Sequence, residues 1–163
     1  MPRYWIDASV LIEAHRRTYP ISIAISFWTW LAGQVQQGSV VAPRRVYQEI
    51  AEVEDHKDEL AQWMKNRRDK GLCIALSKAV QDRVGEIQAR VFESYSYPEA
   101  WDFSRGADPW IIAHAIEDKG VVVTLESDLR PDAKKVRIPD VCDIFDVKCL
   151  DMLEMMRLLK AKF

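Results

Sequence analysis

Short apolar runs that alternate with longer helical patterns constrain this chain most. Val121-Val122-Val123-Thr124 is the clearest of them, a β-branched run bounded by Gly120 and by the acidic stretch Glu126 to Asp128. Such a run is too short for a helix and too uniformly apolar for a strand with one wet face, so it reads as a strand buried on both sides. Tyr4-Trp5-Ile6, Ser39-Val40-Val41-Ala42, Leu72 to Leu76 and Phe145 to Cys149 read as further strands. Between them, helical spacing is expected over Ala8 to Arg16, Ile23 to Gln36, a segment opened by Pro43, Glu59 to Arg68, Ser77 to Tyr95, Asp108 to Lys119, Asp140 to Ile144 and Asp151 to Lys160. Tyr97 to Gly106 reads as irregular. Strands alternating with helices imply a three-layer α/β/α sandwich around a mainly parallel sheet. With 163 residues and no linker or repeat, the chain is expected to form a single domain over residues 1–163.

Composition narrows the class. Hydrophobic residues make up 48% and charged residues 29%, the balance of an ordinary globular chain. No apolar run approaches a bilayer span, and the N-terminus carries no signal-peptide pattern, so a cytoplasmic location without membrane contact is expected. The three cysteines, Cys73, Cys142 and Cys149, form no Cys-x-x-Cys and read as buried thiols. His114, inside an apolar helical pattern, reads as a packed histidine rather than a ligand. The net charge of −2 provides no global field for nucleic acid. Arg16-Arg17, Arg44-Arg45, Lys65 to Lys70 and Lys134 to Arg137 are local basic clusters that read first as solvated faces.

The ends of the expected strands are acidic. Asp7 follows the first, Glu49 lies two turns into the helix after the second, Asp108 heads the helix that feeds the Val121 strand, and Glu126 and Asp128 follow that strand. Ligands of open parallel sheets collect at these carboxyl ends. Singly, each acid has an ordinary use: Asp7 as an N-cap, Asp108 before Pro109 as an N-cap, Glu49 as a solvated helix residue, Asp128 in a turn. Together they would repel one another, and a hard divalent cation removes that penalty. Mg²⁺ or Mn²⁺ held by carboxylates can activate water for in-line attack on a phosphodiester.

On these residues the chain resembles the PIN-domain nucleases. Tyr4-Trp5-Ile6-Asp7-Ala8-Ser9 looks like their N-terminal hydrophobic-Asp-x-Ser motif, and Val46-Tyr47-Gln48-Glu49-Ile50 like the helix with the second acid. Asp108-Pro109-Trp110-Ile111-Ile112-Ala113 looks like the third motif, and Val121 to Thr124 with its acidic follow-on like the fourth. Ile138-Pro139-Asp140-Val141-Cys142 is similar to an Ile-Pro-x-x-Cys element of a less characterised branch. The resemblance implies a Mg²⁺- or Mn²⁺-dependent endoribonuclease, the toxin of a toxin–antitoxin pair, with RNA as substrate, an antitoxin partner and a homodimeric state. It carries Asp7, Glu49 and Asp108 over as metal-site acids, with Glu126 or Asp128 completing the site, and Ser9 and Thr124 as orienting hydroxyls. It departs from the family at Glu126, where an aspartate is usual.

Two other readings stand beside it. An α/β phosphohydrolase could use Asp7 as nucleophile, but the haloacid-dehalogenase type wants a second aspartate where this chain has Ser9, and the paired acids of a receiver domain are missing. A PIN-like module could bind RNA or protein without cutting, against which stands the presence of every acidic position. The aromatic segment Phe27, Trp28, Trp30 and Leu31 is expected to turn part of its surface to a partner.

Overall fold

The computed structural model describes residues 1–52, 58–126 and 134–163. Five parallel strands, β1 (Tyr4–Ile6), β2 (Val40–Pro43), β3 (Cys73–Ile74), β4 (Val121–Val123) and β5 (Cys149–Leu150), lie in the order β3-β2-β1-β4-β5. The helices α1 (Ala8–Glu13), α2 (Ile25–Gln36), α3 (Arg44–Ala51), α4 (Glu59–Arg67), α5 (Lys78–Ser94), α6 (Tyr97–Ser104), α7 (Asp108–Asp118), α8 (Ile138–Ile144) and α9 (Met152–Leu158) cover both faces. This is the expected three-layer α/β/α sandwich, with a sheet that is parallel throughout.

The alternation of strand side chains divides the core. Tyr4, Ile6, Val40, Ala42, Val121 and Val123 join Val10, Leu11, Phe27, Leu31, Leu60 and Met155 on one face, packing α1, α2, α4 and α9. Trp5, Val41 and Val122 join Val84, Ile87, Phe103, Ile112 and Val141 on the other, packing α5, α6, α7 and α8. Because each central strand feeds both halves, its residues are apolar at every position, which is why the runs do not alternate with polar residues.

Several sequence expectations are corrected. Residues 97–104 form α6 rather than an irregular stretch, with Pro98 in the first turn and Ala100, Phe103 and Ser104 buried. The last strand is Cys149–Leu150, because Phe145 ends α8 and Asp146 takes a left-handed φ of 55°. The helix before it starts at Ile138, with Pro139 in its first turn. The first helix continues past Glu13 as a π-helical turn, Ala14–Thr18. Cys142 is buried, but Cys73 and Cys149 are half-exposed free thiols, since both lie on the short edge strands. In the aromatic segment, Phe27, Trp28 and Leu31 belong to the chain's own core, and Trp30 packs against the C-terminal Phe163. Among the described residues, no helix is long and apolar enough to cross a membrane.

Candidate active site

The strand order defines where a ligand can enter. From β1 the chain winds outward through β2 and β3, then returns to the other side of β1 with β4 and β5. The β1/β4 pair is therefore the switch point, where the loops leaving the strands part and open a crevice at their carboxyl ends. The register pairs Ile6 with Val123, so the next residues, Asp7 and Thr124, leave the sheet side by side. The Asp7 amide donates to the Val123 carbonyl at 2.9 Å and continues the ladder by one rung.

Asp7 is buried, and its carboxylate takes up no helix cap. Its Oδ2 accepts the Ser9 hydroxyl at 2.5 Å and the Thr124 hydroxyl at 3.2 Å, which leaves Oδ1 without a side-chain donor. Burial raises its pKa. The Ser9 and Thr124 hydroxyls oppose the rise, as do the nearby amides of Ala8 and Ser9, although neither amide closes a capping hydrogen bond. The two hydroxyls thus fix the carboxylate without neutralising it.

Helix α3 buries Val46, Tyr47, Ile50 and Ala51, which sets Glu49 on its solvent-facing side toward the crevice. The Glu49 pKa is raised first by loss of hydration and then by the charge of Asp7, against the Ala107 amide and Arg45. Asp108 is the first residue of α7, behind an N-cap position held by Ala107, and it caps nothing. Its pKa is pushed up to about 8, first by burial and then by the charges of Asp7, Glu126 and Glu49, with Lys135 acting the other way. Among the described residues no group donates a hydrogen bond to it. The ordinary capping roles open to Asp7 and Asp108 are therefore not the ones they fill.

Glu126 is half-buried after β4. Its amide donates to the Thr124 hydroxyl at 3.3 Å. Its Oε2 accepts the Ile138 amide at 2.6 Å, at the start of α8, and its Oε1 lies 3.9 Å from Lys135 Nζ. The glutamate's extra methylene lets it tie down α8 while its charge still reaches Asp108. Asp128 lies outside the described residues.

A cleft of about 480 Å³ runs beside these acids, lined by Glu49, Glu99, Asp102, Phe103, Gly106, Ala107, Asp108, Lys134, Lys135 and Val136. Larger hollows of about 660 Å³ flank α2, but they carry no acidic side chain. Sequence reasoning missed two features of the cleft. Glu99 and Asp102 were hidden by the reading of 97–106 as irregular, although Pro98 and the buried Ala100 and Phe103 carry a helical pattern. Lys134 and Lys135 were read as a solvated face, and nothing in a pair of lysines distinguishes that from a cleft wall.

Asp7, Glu49, Asp108 and Glu126 are thus gathered at one end of the sheet: the charges of Asp7, Glu126 and Glu49 all reach Asp108, and that of Asp7 also reaches Glu49. Among the described residues, no three acidic, histidine or cysteine side chains already close around a single ion. The donor set nevertheless suits a small divalent cation. All its atoms are carboxylate oxygens, its charge is poorly compensated, and Mg²⁺ needs only one or two carboxylates beside its waters. A search of curated proteins finds no match for the chain. Residues 4–163 match the model of a family described as a domain of unknown function, DUF4411, and the chain belongs to that family.

Proposed function

We propose that this protein is a divalent-cation-dependent endoribonuclease of the PIN type, acting as the toxin of a toxin–antitoxin pair. The observation that carries the reading is the carboxylate of Asp108. It heads a helix without capping it, receives no hydrogen bond among the described residues, and has its pKa pushed up to about 8, first by burial and then by the charges of three further acids. A helix N-terminus needs no such arrangement, whereas a site for Mg²⁺ or Mn²⁺ does. Asp7, Glu49 and Asp108 would hold the ion, with Glu126 or Asp128 completing the set. Bound there, the ion supplies activation of water and charge stabilisation on the phosphodiester. Ser9 and Thr124 hold one oxygen of Asp7 and so fix its rotamer. Glu126, tied to the Ile138 amide, positions α8 against the same crevice.

The toxin role, the antitoxin and the homodimer rest on the resemblance. Exposed Ile23, and exposed Ile25 in one hollow with Phe163, give a partner more apolar surface than Phe27, Trp28 or Leu31 does. The test is cleavage of single-stranded RNA by the purified protein with Mg²⁺ or Mn²⁺. Cleavage that stops on chelation and is absent in Asp108→Asn supports the reading. RNA binding without cleavage would turn it toward a non-catalytic module, and hydrolysis of phosphomonoesters dependent on Asp7 toward a phosphohydrolase. Glu126→Gln and Asp128→Asn in the same assay decide which acid completes the site.

A further inference from the structure

We propose that the Lys135 ammonium is the built-in counter-ion of the carboxylate cluster, and that on binding of a divalent cation it turns to the substrate strand as a phosphate contact. The inference rests on the nuclease reading and deepens it. Among the described residues, Lys134 and Lys135 are the two cations lining the cleft, together with Glu49, Glu99, Asp102 and Asp108. Lys135 Nζ lies 3.9 Å from Glu126 Oε1. The other oxygen of that carboxylate is held by the Ile138 amide at 2.6 Å, so the anionic partner is fixed and the lysine is the mobile member. The lysine side chain is 80% exposed against 23% for the glutamate. Its ammonium therefore keeps most of its hydration and is held only as a surface ion pair is held. Lysine suits the role, since it is a compact point charge on a flexible stem, without a fixed fork that would bind it to one carboxylate.

Two cations that neutralise the same carboxylates compete. A doubly charged ion with oxygen ligands displaces a loosely held ammonium. The freed Lys135 then remains on the wall of the cleft through which a phosphodiester must approach. An RNA strand entering there meets several carboxylates, and a positive group on the wall offsets that repulsion.

The two halves predict effects of opposite sign in one variant. Lys135→Met keeps the length of the stem and removes the charge. Without RNA, calorimetric titration with Mn²⁺ is expected to show about two- to fivefold tighter binding than in the parent, the range of a surface ion pair. Binding of fluorescent oligouridylate, with Ca²⁺ as the divalent ion, is expected to weaken, and the slope of log K against log salt to shrink by about 0.7, one phosphate contact on a single strand. Lys134→Met, which removes a charge that makes no ion pair with Glu126, is expected to leave Mn²⁺ affinity unchanged. Equal Mn²⁺ affinity in Lys135→Met and parent overturns the counter-ion role while the nuclease reading stands. Equal tightening by Lys134→Met overturns it too, because the effect then belongs to the general field of the cleft. An unchanged salt slope overturns the phosphate contact. Absence of any Mn²⁺ binding to the parent removes both this inference and the metal site beneath it. Unchanged circular dichroism separates these outcomes from misfolding.

Discussion

Helix α7 begins at Asp108 and ends at Asp118, and the surroundings of these two aspartates differ in kind. Asp118 lies at the surface with its carboxylate turned to Trp5, whose indole Nε1 donates to both oxygens at 3.0 Å, while Arg3 stands 3.9 Å away. Loss of hydration raises its pKa, and the Trp5 hydrogen bond and Arg3 work against the rise. The Trp5 ring stacks on His114 at 4.4 Å, and Gly120 leaves the space this arrangement needs, since a Cβ there would come within 2.8 Å of the indole. Among the described residues Asp108 has no such donors, and the charges of Asp7, Glu126 and Glu49 outweigh that of Lys135 beside it. One end of the helix is packed and paired for stability. The other gathers unpaired carboxyl groups, whose ionisation costs stability in the absence of a ligand. Concentrated local conflict of this kind marks the end of the molecule where function is to be sought.

The sharpest way to break the comparison is Asp108→Asn. The change keeps shape and removes the repelled charge. It is expected to reduce divalent-dependent RNA cleavage by at least about a hundredfold, while the metal-free protein melts at the same or a higher temperature. The same substitution made at a paired carboxylate would lower the melting temperature. A cleavage rate equal to that of the parent would remove the metal site from its proposed centre.

The next effect concerns the ion. If the unpaired end is completed by Mn²⁺, the folded state gains about 2.7 kcal/mol when free ion reaches roughly a hundred times its dissociation constant. Thermal melts with and without Mn²⁺ measure this gain, and it is expected to shrink sharply in Asp108→Asn. A parent melting temperature that does not respond to the ion contradicts the prediction.

At the paired end, Asp118→Ala strands the indole N–H of Trp5, a residue only 1% exposed. A buried donor left without its acceptor costs about 1–3 kcal/mol. Gly120→Ala drives a methyl against Trp5 and the Asp118 carboxylate, an overpacking of about the same size. Denaturant melts are expected to show both losses, with Mn²⁺ affinity unchanged in each. A change in Mn²⁺ affinity would mean that the two ends of α7 are not independent.

How much of this was legible in the sequence follows from the same two ends. The strands β1, β2 and β4 were readable because burial on both faces makes every residue of Tyr4–Ile6, Val40–Val41 and Val121–Val123 apolar. The acids of the unpaired end were readable because Asp7 and Glu126 come just after strands, Asp108 opens a helix and Glu49 lies in the helix that follows a strand, positions that topology brings together. The paired end was not readable. Trp5, His114, Asp118 and Gly120 meet only through the β1–β4 register and the length of α7, and neither is encoded in a local pattern. The edge strand β5 was misplaced for a related reason: a strand of two residues carries too few side chains to show a period. The cleft wall failed differently, since Lys134 and Lys135 gain their meaning from the acids opposite them and not from their neighbours in sequence.

The last expected effect sets the two ends directly against each other, through pH. His114 has its pKa lowered by burial from 6.5 to about 4, and among the described residues its Nε2 finds no hydrogen-bond partner. Between those values the unfolded chain binds a proton there that the folded chain does not, so this residue makes stability rise with pH from about 4 to 6.5. Asp108, raised from 3.8 to about 8, does the reverse. Its folded form keeps a proton that the unfolded chain has released, so its contribution is greatest near pH 4 and is lost as pH climbs to 8. Each site can contribute a slope of at most about 1.4 kcal/mol per pH unit. The metal-free parent is therefore expected to show a nearly level stability between pH 4 and 6.5, where the slopes oppose, and a decline from 6.5 to 8, where Asp108 acts without His114. Denaturant melts across this range in chelator measure the curve. His114→Phe, which retains an aromatic ring against Trp5, is expected to extend the decline down to pH 4. Asp108→Asn is expected to replace it with a rise to pH 6.5 and a plateau beyond. Should Asp108→Asn still lose stability between pH 6.5 and 8 as the parent does, the burden of buried charge lies somewhere other than the first residue of α7, and the contrast between the helix ends would have to be redrawn around that group.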